Sequence, residues 1–231
     1  MAYKNDIQAD DSAASAPPRL PPEEAAELFR RLKEKTGIPE PELSAPNPFC
    51  FLVSVVLSAQ ATDKSVNQAT APLYQVASTP RQMLELGERK LIRYIRPIGL
   101  YNAKARHVIE LSRQIEEDFG GEVPSTREEL MSLSGVGRKT ANVVLNVIFR
   151  QPTMPVDTHV FRVSNRTGLA PGKDVREVED ALVRAVPEEY ALHAHHWLLL
   201  HGRYVCTARN PRCAECVISG ICRGKEKEDE R

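Results

Sequence analysis

The chain has 231 residues, 31 of them basic and 31 acidic, for a formal net charge of zero. Hydrophobic residues make up 42% and charged residues 27%, ordinary values for a folded chain with one sizeable core or two modest ones. These figures exclude a surface coated throughout in positive charge, and no apolar run nears the roughly 18 residues that a membrane span needs.

Residues 1–20 are rich in Ala, Ser, Asp and Pro and lack apolar periodicity, so they read as a disordered tail. No apolar stretch follows a basic start, so no secretory signal is expected and a cytoplasmic, membrane-free protein is. Pro21-Pro22 followed by Glu23 and Glu24 suits a helix running to about Lys35, stopped by Gly37 and Pro39. Phe49 to Leu57 is the longest apolar run and reads as a buried helix, with Cys50 inside it as a small hydrophobe. Thr79 with Gln82, and Ser125 with Glu128, pair a hydroxyl with an amide or acid three residues on, the pattern of a capping box. From Tyr101, Val108, Leu111, Ile115 and Phe119 recur at helical spacing, and Gly120-Gly121 ends the run. Nothing alternates with period two. Ten or eleven helices and no strand are expected, an all-α fold, with a break in the pattern at residues 151–155.

Leu133-Ser-Gly-Val-Gly-Arg-Lys-Thr140 lies between two helical stretches. Gly135 and Gly137 permit a tight turn that leaves backbone amides open at the start of the next helix, a site suited to a phosphate. An ordinary interhelical turn would use the same glycines. Lys139 falls in the first turn of that helix, where the positive dipole end disfavours an ammonium. Partly desolvated there, it would have a lowered pKa and a free amine for nucleophilic attack; a lysine merely facing solvent is the plainer alternative. Asp157, in Val156-Asp-Thr-His159, sits where an N-cap belongs. Eleven helical residues from Lys139 carry the chain roughly 16 Å away, and seven extended residues can bring it back roughly 23 Å, so the two can meet.

Four of the five cysteines crowd into one window with spacing C-x6-C-x2-C-x5-C: Cys206, Cys213, Cys216 and Cys222. The clustering favours metal or cluster ligation over disulfides, and spacing alone fits one zinc or one cubane. Residues 200–225 carry five basic residues against one acid, and residues 1–45 six against nine, so a local basic face is compatible with overall neutrality. His193, His195, His196 and His201 flank Trp197-Leu-Leu-Leu200 without a metal-binding pattern, and read as packing and hydrogen-bonding residues.

Taken with Leu57-Ser-Ala-Gln-Ala-Thr-Asp63, Ile98-Gly-Leu-Tyr-Asn-Ala-Lys-Ala105 and Val156-Asp-Thr-His-Val-Phe-Arg162, the hairpin and the cysteine run resemble the endonuclease III branch of the helix–hairpin–helix DNA glycosylases. The resemblance covers about residues 21–225. It implies two lobes: a six-helix domain at 41–151, and a second formed by 21–40 with 152–231 around a 4Fe–4S cluster held by the four cysteines. Double-stranded DNA with damaged bases or abasic sites would lie across the cleft, met by a monomer. By the same resemblance Lys139 is the nucleophile and Asp157 its carboxylate partner. Gly135, Gly137 and Arg138 would contact DNA, and Gln60 and Leu100 would fill the gap left by a flipped nucleotide. The implied activity is removal of oxidised pyrimidines followed by β-elimination through a lysine Schiff base. The family's hairpin commonly carries proline where this chain has Ser134, which would make the turn slightly less rigid. Two rival readings are an adenine-mismatch glycosylase, against which Lys139 counts, and a non-catalytic DNA-binding module with a structural zinc.

Overall fold

The computed structural model describes residues 19–224; residues 1–18 and 225–231, and so most of the expected tail and Lys225, lie outside the described residues. Among the described residues there are eleven α-helices, one short 3₁₀ turn and no strand. The helices are α1 (Pro22–Thr36), α2 (Pro48–Leu57), α3 (Asp63–Tyr74), α4 (Pro80–Leu86), α5 (Glu88–Ile95) and α6 (Tyr101–Asp118). They continue with α7 (Arg127–Ser132), α8 (Arg138–Val147), α9 (Thr158–Thr167), α10 (Val175–Ala185) and α11 (Glu188–Tyr204), and the 3₁₀ turn is Cys213–Glu215.

Local chemistry sets the boundaries. Asn47 caps α2 by accepting from the Cys50 N–H at 2.9 Å, and Pro48 occupies the first turn, where its missing N–H costs nothing. Every residue from Phe49 to Leu57 is buried, so α2 runs through the middle of its lobe rather than along its surface. Thr79 caps α4, as its capping box predicts, but the Gln82 side chain accepts from the Ser78 N–H and not from that of Thr79. At α7 the cap is Thr126 paired with Glu129, one residue beyond the predicted Ser125 with Glu128. Both registers satisfy the same sequence pattern, and the burial of Leu130 goes with the later one.

Two separate apolar cores result. One gathers buried side chains of α2 through α8, from Phe49 to Leu145. The other joins Leu20 and α1 to residues from Met154 to Ile218, so its parts come from opposite ends of the chain. Phe29, Tyr190 and Trp197 form an aromatic group between α1 and α11, and the Trp197 Nε1–H donates to the Gly37 carbonyl at 2.8 Å. Leu20, assigned to the tail on composition, is 5% exposed, and its N–H bonds the Gly168 carbonyl at 2.8 Å. Order therefore starts before Pro21, because one apolar residue among prolines has a pocket that composition does not reveal.

Candidate active site

The hairpin is a turn between α7 and α8 in which the two glycines do different work. Gly135 has φ +78, and a Cβ there would lie 2.9 Å from the Cβ of His107, so both backbone and space demand glycine. Gly137 is extended, with nothing within 4 Å of a Cβ position, and it precedes α8 with no side-chain cap. The first amides of α8 are thus left without a side-chain partner beside open space, the arrangement that receives an anion. Ser134, in place of the commoner proline, is held from both sides. Its N–H donates to Gln114 Oε1 at 2.7 Å, and its hydroxyl lies 2.9 Å from His107 Nδ1.

Lys139 and Asp157 line one recess of about 590 Å³ between the lobes. Its walls include Phe51, Val55, Val143, Val147 and Leu199, with Asp63, His195, His196 and Arg203 among the polar members. Asp157 is the N-cap of α9, and its Oδ1 accepts from the His159 and Val160 N–H groups at 2.9 and 2.8 Å. Those bonds fix the orientation of the carboxylate. Lys139 is exposed, so the desolvation expected from its sequence position is not built into the DNA-free protein.

Three residues whose role was not read from the sequence complete the recess. Asp63, the first residue of α3, has its pKa raised by burial, lowered by the charge of Lys139 and raised by that of Asp157, so it lies within electrostatic reach of both. Arg203 Nη1 pairs with Asp63 at 2.9 Å and with Glu42, whose other oxygen accepts from the Tyr204 hydroxyl at 2.9 Å. Asp63 belongs to a motif already singled out; Glu42 and Arg203, 161 positions apart, carry no local signal.

Gln60 and Leu100 share an unusual backbone, with φ of +55 and +60. Neither is glycine, and left-handed non-glycine residues cost about 1–3 kcal/mol and concentrate at functional sites. Leu100 is 62% exposed, so core packing does not explain it. Arg138 is engaged within the protein. Its Nε and Nη2 each donate to Glu179 of α10 at 2.8 Å, and the Asn142 amide donates to the same carboxylate at 3.0 Å.

The four clustered cysteines line a second, partly open recess of about 400 Å³. Among the described residues no three His, Cys, Asp or Glu side chains converge on one ion-sized point. Four cysteine sulfurs around one recess are the donor set that an iron–sulfur cubane takes. Arg162 Nε donates to the Cys206 carbonyl at 3.0 Å and Arg166 Nη1 to Cys206 Sγ at 3.4 Å, so the loop hangs from the α9 helix that Asp157 caps. His201 Nε2 lies 3.6 Å from Cys216 Sγ, and Cys50, far from this loop in sequence, is fully buried with its thiol pushed up to about 12 by burial.

Residues 53–188 match the model of the HhH-GPD superfamily base excision DNA repair proteins, and residues 206–222 match that of the iron–sulfur binding domain of endonuclease III. Endonuclease III of Escherichia coli strain K12 is 55% identical over 203 residues, covering 88% of this chain and 96% of that protein. The Haemophilus influenzae protein of the same name is 54% identical over 201 residues, covering 87% and 95%. A solved trapped endonuclease III–DNA covalent intermediate superposes with a TM-score of 0.85 at 40% identity, covering 92% of this chain and all of that one. The chain belongs to the endonuclease III family: it is a DNA glycosylase and AP lyase of base excision repair, and it carries a 4Fe–4S cluster. Among the described residues no helix is long and apolar enough to cross a membrane.

Proposed function

We propose that this chain removes oxidised pyrimidines from double-stranded DNA and then cuts the strand, with Lys139 as nucleophile and Asp157 as its partner. The observation that carries the reading is that these two side chains, 18 positions apart in the sequence, line one recess between the lobes. The target nucleotide must leave the stack to be reached. The Lys139 amine, having lost its proton, forms a bond to the sugar C1′ as the C1′–base bond breaks, and the base departs with a proton. Asp157, held by two amides of α9, stabilises the positive charge that grows on the sugar. The C1′–O4′ bond then opens, O4′ taking a proton, and the adduct becomes an imine; this acidifies the C2′ proton, whose loss expels the 3′ phosphate and nicks the strand.

The surrounding residues support the same reading. The open amides after Gly137, with the Gly135 turn behind them, suit a phosphate. The strained, exposed Leu100 and Gln60 suit an apolar wedge and a polar filler for the vacated stack. Arg138 contributes to the same surface by fixing the start of α8. Cys206, Cys213, Cys216 and Cys222 are the cluster ligands in this reading, and the two apolar cores support lobes at 41–151 and at 21–40 with 152–231. The protein is expected to work as a monomer, in the cytoplasm where a bacterial nucleoid lies.

Borohydride trapping on a thymine-glycol duplex tests the chemistry. The wild type is expected to give a covalent adduct and Lys139→Gln none, while Asp157→Asn, which keeps an N-cap, should slow adduct formation by about 10²–10⁴-fold with little loss of stability. Adduct formation by Lys139→Gln at the wild-type rate would remove the lysine from the mechanism.

A further inference from the structure

The chain is neutral overall, yet residues 88–96 carry Arg89, Lys90, Arg93 and Arg96 against Glu88 alone. In α5 and its continuing cap, Arg89, Arg93 and Arg96 stand at i, i+4 and i+7, so they form one stripe along the helix. Leu91 and Ile95, buried, point the opposite way. All four basic residues are exposed, and among the described residues none has a carboxylate within ion-pairing distance. Other exposed arginines differ: Arg30, Arg81, Arg113 and Arg176 each have an acidic neighbour three or four residues away on their own helix. A stripe of guanidiniums costs self-repulsion, and no carboxylate among the described residues relieves it.

The stripe leads somewhere. From Arg89 to Arg96 the helix advances about 10 Å, and Pro97-Ile98-Gly99 then deliver the chain to Leu100 in its left-handed conformation. We infer that Arg89, Arg93 and Arg96 form a line of DNA phosphate contacts that carries the footprint beyond the Leu100 wedge. This surface rests on the DNA-binding reading above and adds to it a segment outside the hairpin, the recess and the cysteine loop. The occupant is the duplex backbone, because three guanidiniums about one helical turn apart complement a row of phosphates and read no base. Such contacts would grip undamaged DNA as well as a lesion site.

Binding of the full-length, cluster-loaded protein to a duplex centred on a stable abasic analogue, measured over a range of KCl, tests this. Each phosphate contact contributes about 0.9 to the slope of log K against log salt, so Arg89→Gln/Arg93→Gln/Arg96→Gln should lower the slope by roughly 2–3. Single substitutions should each lower it by about 1, which guards against a misfolded triple variant. Arg30→Gln/Arg113→Gln/Arg176→Gln removes the same charge from ion-paired sites elsewhere and should leave the slope near the wild type. A stripe variant with the wild-type slope, or a control that loses as much, overturns the stripe alone. A wild type without salt-dependent binding overturns both this surface and the reading beneath it.

Discussion

The two lobes reach stability by different routes. The lobe of α2 to α8 closes around α2, a helix buried along its length from Phe49 to Leu57, and all of its helices come from one continuous stretch of chain. The cluster lobe must bring α1 back to α9 and α11 across more than a hundred residues, and it then hangs a loop of four cysteines from Arg162 and Arg166. Both lobes enclose an apolar core; the second adds a few long-range polar ties and a cofactor. Each supplies half of the recess, with the amine on the self-sufficient side and the carboxylate on the tied side.

Removing the cluster should break this contrast most visibly. Cys216→Ser is expected to abolish the visible absorption of the cluster and to loosen residues 206–222 together with the outer end of α11, because ligand binding and folding are coupled in such loops. Hydrogen exchange should show that loosening while α2 and α6 keep their protection. Equal loss of protection in both lobes would mean that they fold as one unit and that the contrast is only geometric.

The polar tie across the lobes comes next. Glu179 is 6% exposed and accepts two bonds from Arg138 and one from Asn142, whose Oδ1 in turn accepts from Arg127. Glu179→Ala leaves a guanidinium and an amide without their partner and should cost about 3 kcal/mol in urea unfolding. Because Arg138 directly precedes Lys139, borohydride adduct formation should slow as well. A stability loss below about 1 kcal/mol would reduce the pair to a surface ion pair.

How much of this was open to a reading of residues follows the same division. Helices with strong apolar spacing, such as α2 and α6, are legible because burial of a whole face leaves a periodic trace. Lys139 and Asp157 stand out because a glycine turn and a cap position announce them. Leu20 and the register of the α7 cap were misread, since one buried side chain or a shift of one hydroxyl leaves no periodicity. Glu42, Arg203 and Glu179 were invisible for a different reason: their partners are 161 and 41 positions away, and no local rule pairs them. The α5 stripe lay in plain view as four basic residues, but only the structure shows that none of them has an acidic partner among the described residues.

Acid should separate the lobes by a smaller but directional effect. His195, His196 and His201 all lie on α11, and burial lowers the pKa of each, to about 4 for His196 and for His201 and well below the ordinary value for His195. In the unfolded chain these imidazoles titrate near 6.5, so between roughly pH 6.5 and 4 the unfolded state binds more protons than the native one. Stability from these residues is therefore complete above pH 6.5 and is lost as the pH falls toward 4. Among the described residues, no buried histidine belongs to α2 to α8. Lowering the pH from 7.5 to about 5 should reduce hydrogen-exchange protection in α11 before that in α6. His196→Gln should flatten part of the dependence. If α6 and α11 lose protection in parallel, acid acts through general charge rather than through these rings, and the cluster lobe is no more dependent on its polar groups than its neighbour.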